Sequence, residues 1–102
     1  MQNNKTYLSI SGQVVEIGNA IQGENWIKQD FTIRTEGDYP VLVNFITFNT
    51  AQDQLSRCKL ADHVTVLFNP ESKSYVNNGV KKYFNELKAW KITVNFNKGG
   101  EK

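Results

Sequence analysis

The chain has 102 residues, of which 39% are hydrophobic and 22% charged, and this composition fits one globular domain large enough to bury a core. Its single cysteine excludes an internal disulfide, and no apolar run is long enough to span a bilayer, so we expect a cytoplasmic protein with no membrane partner. The net charge of +2 is unevenly distributed. Residues 1–72 carry five Lys/Arg against eight Asp/Glu, whereas residues 73–102 carry seven Lys against two Glu.

Alternation of apolar and polar residues predicts three strands in the first half of the chain. The first covers residues 6–17 and contains Gly12, where we expect a bulge or a sharp coil of the strand. A turn-rich link at 18–25 leads to the second strand, residues 26–35. The third strand, residues 41–48, follows the turn-forming sequence EGDYP.

After the third strand the pattern changes to that of a short helix. Asn49 or Thr50 is a suitable N-cap for it. Leu55 and Cys58, with Ala51 as a further candidate, are spaced to face the core. Cys58 is therefore interpreted as a small core residue.

The last third of the chain is predicted to be a long hairpin. Its outgoing strand starts at Asp62 and continues to the dipeptide Asn78-Gly79, which is typical of a tight hairpin turn. The returning strand covers residues 80–96. We therefore predict an all-β fold over residues 1–96, a five-stranded OB-fold barrel with one short helix between strands three and four. Residues 97–102 are expected to form a short flexible tail. An SH3-like barrel is the alternative, but it has no natural place for the helix.

The polar face of the second strand carries a tryptophan. With a period of two residues, Phe31 and Ile33 belong to the core face. Trp26, Lys28 and Arg34 fall on the opposite face. A large ring beside cations on a strand surface is the first indication of a binding site.

The third strand and the hairpin extend this outer face. If Val43 and Phe45 fill the interior, Ile46 and Phe48 point to the same side as the tryptophan. Aromatic rings interleaved with cations on one side of a barrel are typical of sites for single-stranded nucleic acid, where rings stack on bases and Lys or Arg contacts phosphates. The predicted nucleic-acid-binding residues are Trp26, Lys28, Arg34, Ile46, Phe48, Lys73, Tyr75, Lys81, Lys82 and Tyr83.

The residues required for catalysis are few. His63 is the only histidine, so any catalytic triad would have to include it. A histidine in a strand near the end of a barrel more commonly has a structural role than a catalytic one. The sequence has neither zinc-ligand spacing nor a phosphate-binding loop. We therefore predict no enzyme, no metal and no cofactor, with a small metal-dependent nuclease as the enzymatic alternative.

The chain resembles the OB domain of bacterial and phage single-stranded DNA-binding proteins, and more closely a group of short uncharacterised bacterial OB proteins. The resemblance rests on ISGQVVEI, WIKQDFTIRT, VNFITF, AQDQL, ADHVTVLF and ELKAWKI. It implies that Phe48 and Tyr75 occupy positions of stacking aromatics. Leu42 stands where those proteins carry one stacking tryptophan, and Tyr39 is a possible substitute for another.

The resemblance implies binding of single-stranded DNA with little sequence preference, in an accessory role in replication, recombination or repair. RNA is a further candidate ligand, and we expect a homo-oligomer, either a dimer or a tetramer. Recruitment of other proteins through an acidic tail is not expected, because the sequence ends in NKGGEK. The alternative is a protein-interaction or oligomerisation module that uses the same apolar outer face. Trp90 is assigned to the core or to an interface.

Overall fold

The strands of the protein pair into a closed ring. A computed structural model describes residues 8–95. In chain order the elements are β1 (Leu8–Ile17), β2 (Ile21–Gln22), β3 (Ile27–Thr35), β4 (Leu42–Phe48), the helix α1 (Thr50–Leu55), β5 (His63–Asn77) and β6 (Val80–Val94). The sheet order is β1-β5-β6-β4-β3-β2, and an additional pairing of β1 with β3 closes the ring. With α1 between β4 and β5, this arrangement confirms the predicted all-β OB fold.

Two features of the ring differ in detail from the predicted elements. A short strand, β2, lies in the predicted link, where Ile21 and Gln22 pair with the beginning of β3. Two residues are too few to show an alternating pattern, so periodicity cannot indicate this strand. The predicted strand ends at Thr6 and Phe96 and the predicted tail at 97–102 lie outside the described residues.

The core is built around three aromatic rings. Phe31 and Phe45 are directly paired across β3 and β4, and their rings stack with centroids 5.3 Å apart. Phe68 of β5 meets Phe45 edge to face at 5.2 Å. Phe31 and Ile33 are fully buried, as their parity predicts. The buried cluster consists of Val14, Phe31, Ile33, Phe45, Leu55, Cys58, Val64, Val66, Ala89 and Ile92.

The helix packs inward as predicted, but its cap is different. Ala51 and Leu55 are buried, and so is Cys58 just beyond the helix. Asn49 occupies the cap position at a positive φ of 50°, yet its side chain makes no cap bond. Its Oδ1 instead accepts a hydrogen bond of 3.1 Å from the backbone N–H of Ile27, which ties the start of α1 to the start of β3.

The Cys58 thiol is a core group. Burial raises the pKa of Cys58, and the nearby carboxylate of Asp62 raises it further. A thiol with a raised pKa is mostly protonated at neutral pH and is therefore a poor nucleophile. Both observations agree with its predicted role in packing.

Gly12 is required for close packing rather than for a bulge. The bulge of β1 lies between Val14 and Glu16, so of the two alternatives expected at Gly12, a bulge and a sharp coil, the bulge lies elsewhere in the strand. Gly12 and the next residue, Gln13, are the positions where β1 pairs with both β3 and β5. A Cβ atom there would lie 2.4 Å from the carbonyl oxygen of Arg34. The two strands can therefore approach this closely only because the residue has no side chain.

Beyond the ring, β5 and β6 continue as a two-stranded hairpin, here called the arm (residues 69–88). The predicted turn is confirmed, since Asn78 and Gly79 have φ values of 54° and 77°. Every side chain from residue 69 to residue 85 is exposed. The arm accordingly presents two faces to solvent and contains no core of its own.

We predict that Phe31→Ala lowers the free energy of unfolding by about 3–5 kcal/mol, because it removes a fully buried ring and the stacking contact of that ring with Phe45. Tyr39, which is 89% exposed, supplies the matched control. Chemical denaturation of the two alanine variants measures the difference. A loss of stability in Tyr39→Ala as large as that in Phe31→Ala would contradict this description of the core.

Candidate nucleic-acid interface

The pairing of β3 with β4 decides which side chains share the outer face of the ring. Because Phe31 pairs with Phe45 inside, the alternate pairs point outward, and Lys28 is placed directly opposite Phe48. Ile46 belongs to the same outer set. The predicted grouping of Lys28, Ile46 and Phe48 on one face is therefore confirmed.

Trp26 extends this face just before β3. Its side chain is 42% exposed, and one side of the ring rests on Gly23. The N–H of Gly23 also donates a 2.8 Å hydrogen bond to the Trp26 carbonyl oxygen, which fixes the backbone of this tight turn. The ammonium of Lys28 lies 5.9 Å from the ring centroid. The indole is thus half-exposed, with one side packed on Gly23 and the ammonium of Lys28 close to the ring.

Lys88 is a member of this surface that the sequence analysis missed. Its ammonium lies 5.2 Å from the ring centroid of Phe48. The contact arises because β4 and β6 meet in parallel at Ile46 and Lys88. Phe48 and Lys88 are forty positions apart in the chain, so only this tertiary pairing could have revealed their contact.

The middle of the outer face is polar and internally hydrogen-bonded. Thr32 pairs with Asn44 and belongs by strand alternation to the outer side, yet it is only 7% exposed. Its hydroxyl oxygen accepts a 2.9 Å bond from Nδ2 of Asn44, which also donates to Oδ2 of Asp30 at 3.1 Å. The amide nitrogen of Asn44 is therefore committed to β3.

The arm continues the outer face of the ring. Along β5, Val64 and Val66 are buried and Phe68 packs against the core, so the intervening positions point outward. The outer face of the arm carries Asn69, Glu71, Lys73 and Tyr75 from β5 and Val80, Lys82, Phe84, Glu86 and Lys88 from β6. Phe84, which is 55% exposed, is a further member that the sequence analysis missed.

Two of the predicted binding residues lie on the other face of the arm. Lys81 pairs with Val76 and Tyr83 pairs with Ser74, on the side that continues the interior of the ring. Lys81 lies 5.4 Å from the ring centroid of Tyr83. Adjacent residues of a strand point to opposite faces, so Lys81 and Lys82 cannot share one. The expectation that all these residues form a single surface is therefore wrong.

Arg34 is also separated from the rings. It pairs with Leu42, six residues before Phe48 on β4, which corresponds to about 20 Å along the strand. It lines a polar pocket of about 510 Å³ together with His63 and Glu36. In this pocket Nε2 of His63 lies 2.9 Å from a Glu36 carboxylate oxygen. Arg34 thus belongs to the opposite end of the strand pair.

The remaining residues define one continuous surface, here called the outer track. It runs from the ring along the arm and comprises Trp26, Lys28, Ile46, Phe48, Lys88, Lys73, Phe84, Tyr75 and Lys82. Trp90 lies at the β6 bulge opposite Leu67 and Phe68 and is 39% exposed, so of the two expected places, core and interface, the core is excluded and the interface stays a prediction. Alternating rings and ammonium groups along the track are suited to stacking flat apolar groups and neutralising anions beside them.

Between residues 8 and 95, no group of three or more His, Cys, Asp and Glu side chains is arranged to hold a metal ion. The same part of the chain contains no helix that could reach across a bilayer.

The strand order, the closing pairing of β1 with β3 and the helix between β4 and β5 define the chain as an OB-fold protein. It belongs to the family described as a domain of unknown function, DUF3127, whose model matches residues 9–93. No curated protein shows a significant sequence match to the chain.

Solved structures of single-stranded DNA-binding proteins have the same fold. The mitochondrial protein Rim1 from S. cerevisiae superposes with a TM-score of 0.68 at 16% identity, over 87% of this chain and 93% of that one. The second such protein of Mycobacterium smegmatis, SSBb, gives 0.63 at 13% identity, over 88% of each chain. The small protein of Streptomyces coelicolor gives 0.61 at 12% identity, over 91% and 96%. These neighbours are binding proteins by name, and they confirm the resemblance to the OB fold of that group.

We predict that Gly23→Ala displaces the Trp26 ring, because the new Cβ would lie 2.1 Å from the indole Cε2. In a Trp90→Phe background, Trp26 is the single tryptophan, so its emission should shift to longer wavelength and its quenching by iodide should increase. The melting temperature should change little, since the ring lies outside the buried cluster. Unchanged emission in Gly23→Ala would show that the indole does not rest on Gly23.

Proposed function

We propose that the protein binds single-stranded DNA with little sequence preference along the outer track. The observation that carries this proposal is the alternation of exposed rings and ammonium groups on one continuous face, which begins on the ring and extends along the arm. The fold similarity to single-stranded DNA-binding proteins supports it.

Next to each of the two aromatic rings on the barrel lies a lysine that could contact the phosphate of a base stacked on that ring. Lys28 lies over Trp26, and Lys88 lies over Phe48. A base that stacks on either ring takes the place of the ammonium group, which then moves on its flexible stem toward the adjacent phosphate. Rings recognise the flat face that all bases share, and ammonium groups recognise phosphate, so neither contact reads sequence.

The arm extends this binding surface away from the ring. Tyr75 and Lys82 are directly paired near its tip, and Lys73 and Phe84 form the next outward-facing pair. Each pair therefore combines one ring with one cation. Single-stranded DNA that continues from Lys88 along the arm would therefore contact an aromatic side chain and a lysine at each of these two pairs.

The biological role that we propose is that of an accessory protein in replication, recombination or repair, without catalytic activity and located in the cytoplasm. RNA is a further candidate ligand, because stacking and phosphate contacts do not require the deoxyribose. Self-association into a dimer or tetramer is also part of the proposal. The exposed apolar groups on the inner face of the arm, Val76 and Tyr83, favour an interface there.

The proposal is tested by titrating the protein with oligo(dT) at two salt concentrations. Tryptophan fluorescence should be quenched on binding, and the affinity should fall steeply as salt increases, because phosphate contacts release counterions. No binding at low salt would refute the proposal. Self-association that survives high salt, in a protein that does not bind oligo(dT), would favour the alternative, an interaction module that uses the same face through apolar contacts.

The two adjacent lysines near the arm tip provide a sharper test. We predict that Lys82→Glu weakens oligo(dT) binding and reduces the slope of log K against log[salt] by about one, as expected for a lost phosphate contact. Lys81→Glu makes the same change of charge on the inner face and should have a smaller effect. Both lysines are exposed, so neither variant should change the melting temperature appreciably.

Equal loss of affinity and slope in the two lysine variants would contradict the assignment of one arm face to DNA. It would indicate that the strand contacts both faces of the arm.

A further inference from the structure

Two carboxylates interrupt the otherwise basic outer track. Glu71 and Glu86 are directly opposite each other on the outer face of the arm, between the ring and the distal pair of Tyr75 and Lys82. Like charges directly opposite each other destabilise a strand pair, and they also repel the phosphates of a bound strand. Binding of a polyanion alone therefore gives no reason for their presence.

Two lysines offset these charges within the arm. Lys73 lies 3.3 Å from Oε1 of Glu86, and Lys88 lies 3.3 Å from a carboxylate oxygen of Glu71. The first contact is an ion pair without hydrogen-bond geometry, because Oε1 of Glu86 is shielded from solvent yet has no hydrogen-bond partner among residues 8–95. The Glu86 carboxylate thus retains most of its capacity to accept hydrogen bonds.

Glu86 lines a groove of which Glu71 is not part. In the described part of the chain β4 and β6 pair at a single position, Ile46 with Lys88, and beside that pair the two strands leave a groove of about 400 Å³. The groove is lined by Asn44, Ile46, Phe84, Asn85, Glu86 and Leu87. Its apolar members suit a flat ring, and it lies on the path of the outer track.

The polar groups of the groove favour a ligand that donates hydrogen bonds. The amide nitrogen of Asn44 is committed to β3, so its carbonyl oxygen is left as an acceptor. Asn85 pairs with Ser72 on the inner face of the arm, where its Oδ1 accepts a 2.6 Å hydrogen bond from the Ser72 hydroxyl, so its side chain is directed away from the groove. The groove therefore offers two side-chain acceptors, the carbonyl oxygen of Asn44 and the anionic carboxylate of Glu86.

We infer that this groove is a base-selective subsite, in which the Glu86 carboxylate accepts a hydrogen bond from the exocyclic amino group of cytosine. Cytosine presents N4–H₂ at the position where thymine presents the O4 acceptor, and a carboxylate accepts from the first and repels the second. This inference rests on the proposed binding of single-stranded DNA. It adds a preference for cytosine over thymine at one position to an otherwise unselective track.

The test compares the affinities for oligo(dC) and oligo(dT) of equal length, in mildly alkaline buffer so that cytosine stays unprotonated. The wild-type protein should bind oligo(dC) more tightly. In Glu86→Gln a charge-assisted hydrogen bond becomes a neutral one, so the dC/dT affinity ratio should fall about fivefold. Affinity for oligo(dT) alone should rise, because a repulsive charge is removed and Lys73 is released.

Glu71→Gln is the matched control. It removes the same charge from the directly opposite position, which does not line the groove. Both affinities should rise together in this variant, with an unchanged ratio. Melting temperatures near that of the wild type should accompany both substitutions, since both side chains lie outside the core cluster.

The outcomes distinguish a failure of the cytosine subsite from a failure of the proposed binding of single-stranded DNA. A ratio that is the same in Glu86→Gln as in the wild type overturns the subsite alone, as does an equal change of the ratio in Glu71→Gln. Failure of the folded wild-type protein to bind either oligonucleotide refutes the proposed function, and the subsite with it.

Discussion

The register of β3 on β4 is the constraint on which the rest of the surface depends. It is held by the stacked pair of Phe31 and Phe45, whose rings are fully buried 5.3 Å apart. A shift of β4 by one residue against β3 would turn Phe48 toward the core and expose the neighbouring side chain of Thr47, which is now buried. The free energy of burying two phenylalanines therefore fixes the side on which the candidate binding groups stand. Folding and recognition are coupled through one pair of strands.

The second constraint is the single parallel contact between Ile46 and Lys88. It joins β4 to β6 within the ring, and it places the basic C-terminal third of the chain next to the aromatic end of β3 and β4. The mildly acidic first two thirds of the chain supply the rings on the barrel, and the last third supplies most of the cations. The uneven distribution of charge along the sequence therefore places most of the lysines of this surface along one hairpin.

Sequence periodicity was sufficient for local features and insufficient for contacts between distant segments. The parity of β3 and β4, the inward residues of α1 and the turn at Asn78-Gly79 all follow from rules that act within a few residues. Lys88 and Phe84 were missed because their neighbours on β4 are about forty positions away in the chain. Strand alternation alone places Lys81 and Lys82 on opposite faces of the hairpin, so a single binding surface cannot contain both.

The bulge at Val15 and the close approach at Gly12 show a further limit. Glycine in a strand is compatible with both a bulge and tight packing, and only the neighbouring strand decides between them. Here the carbonyl of Arg34 occupies the space that a Cβ atom would need. The same applies to Asn49, whose side chain has the chemistry of a helix cap but bonds to β3 instead.

The lack of a core in the arm has a consequence for how the protein can vary. Its backbone bonds are solvent-exposed on both faces, so the arm can open locally while the ring stays folded, and its amide protons should exchange faster than those of β3 and β4. Substitutions there alter little buried area. Ligand preference can therefore change in the arm while the fold is maintained by the ring, and the two properties can evolve separately within one small domain.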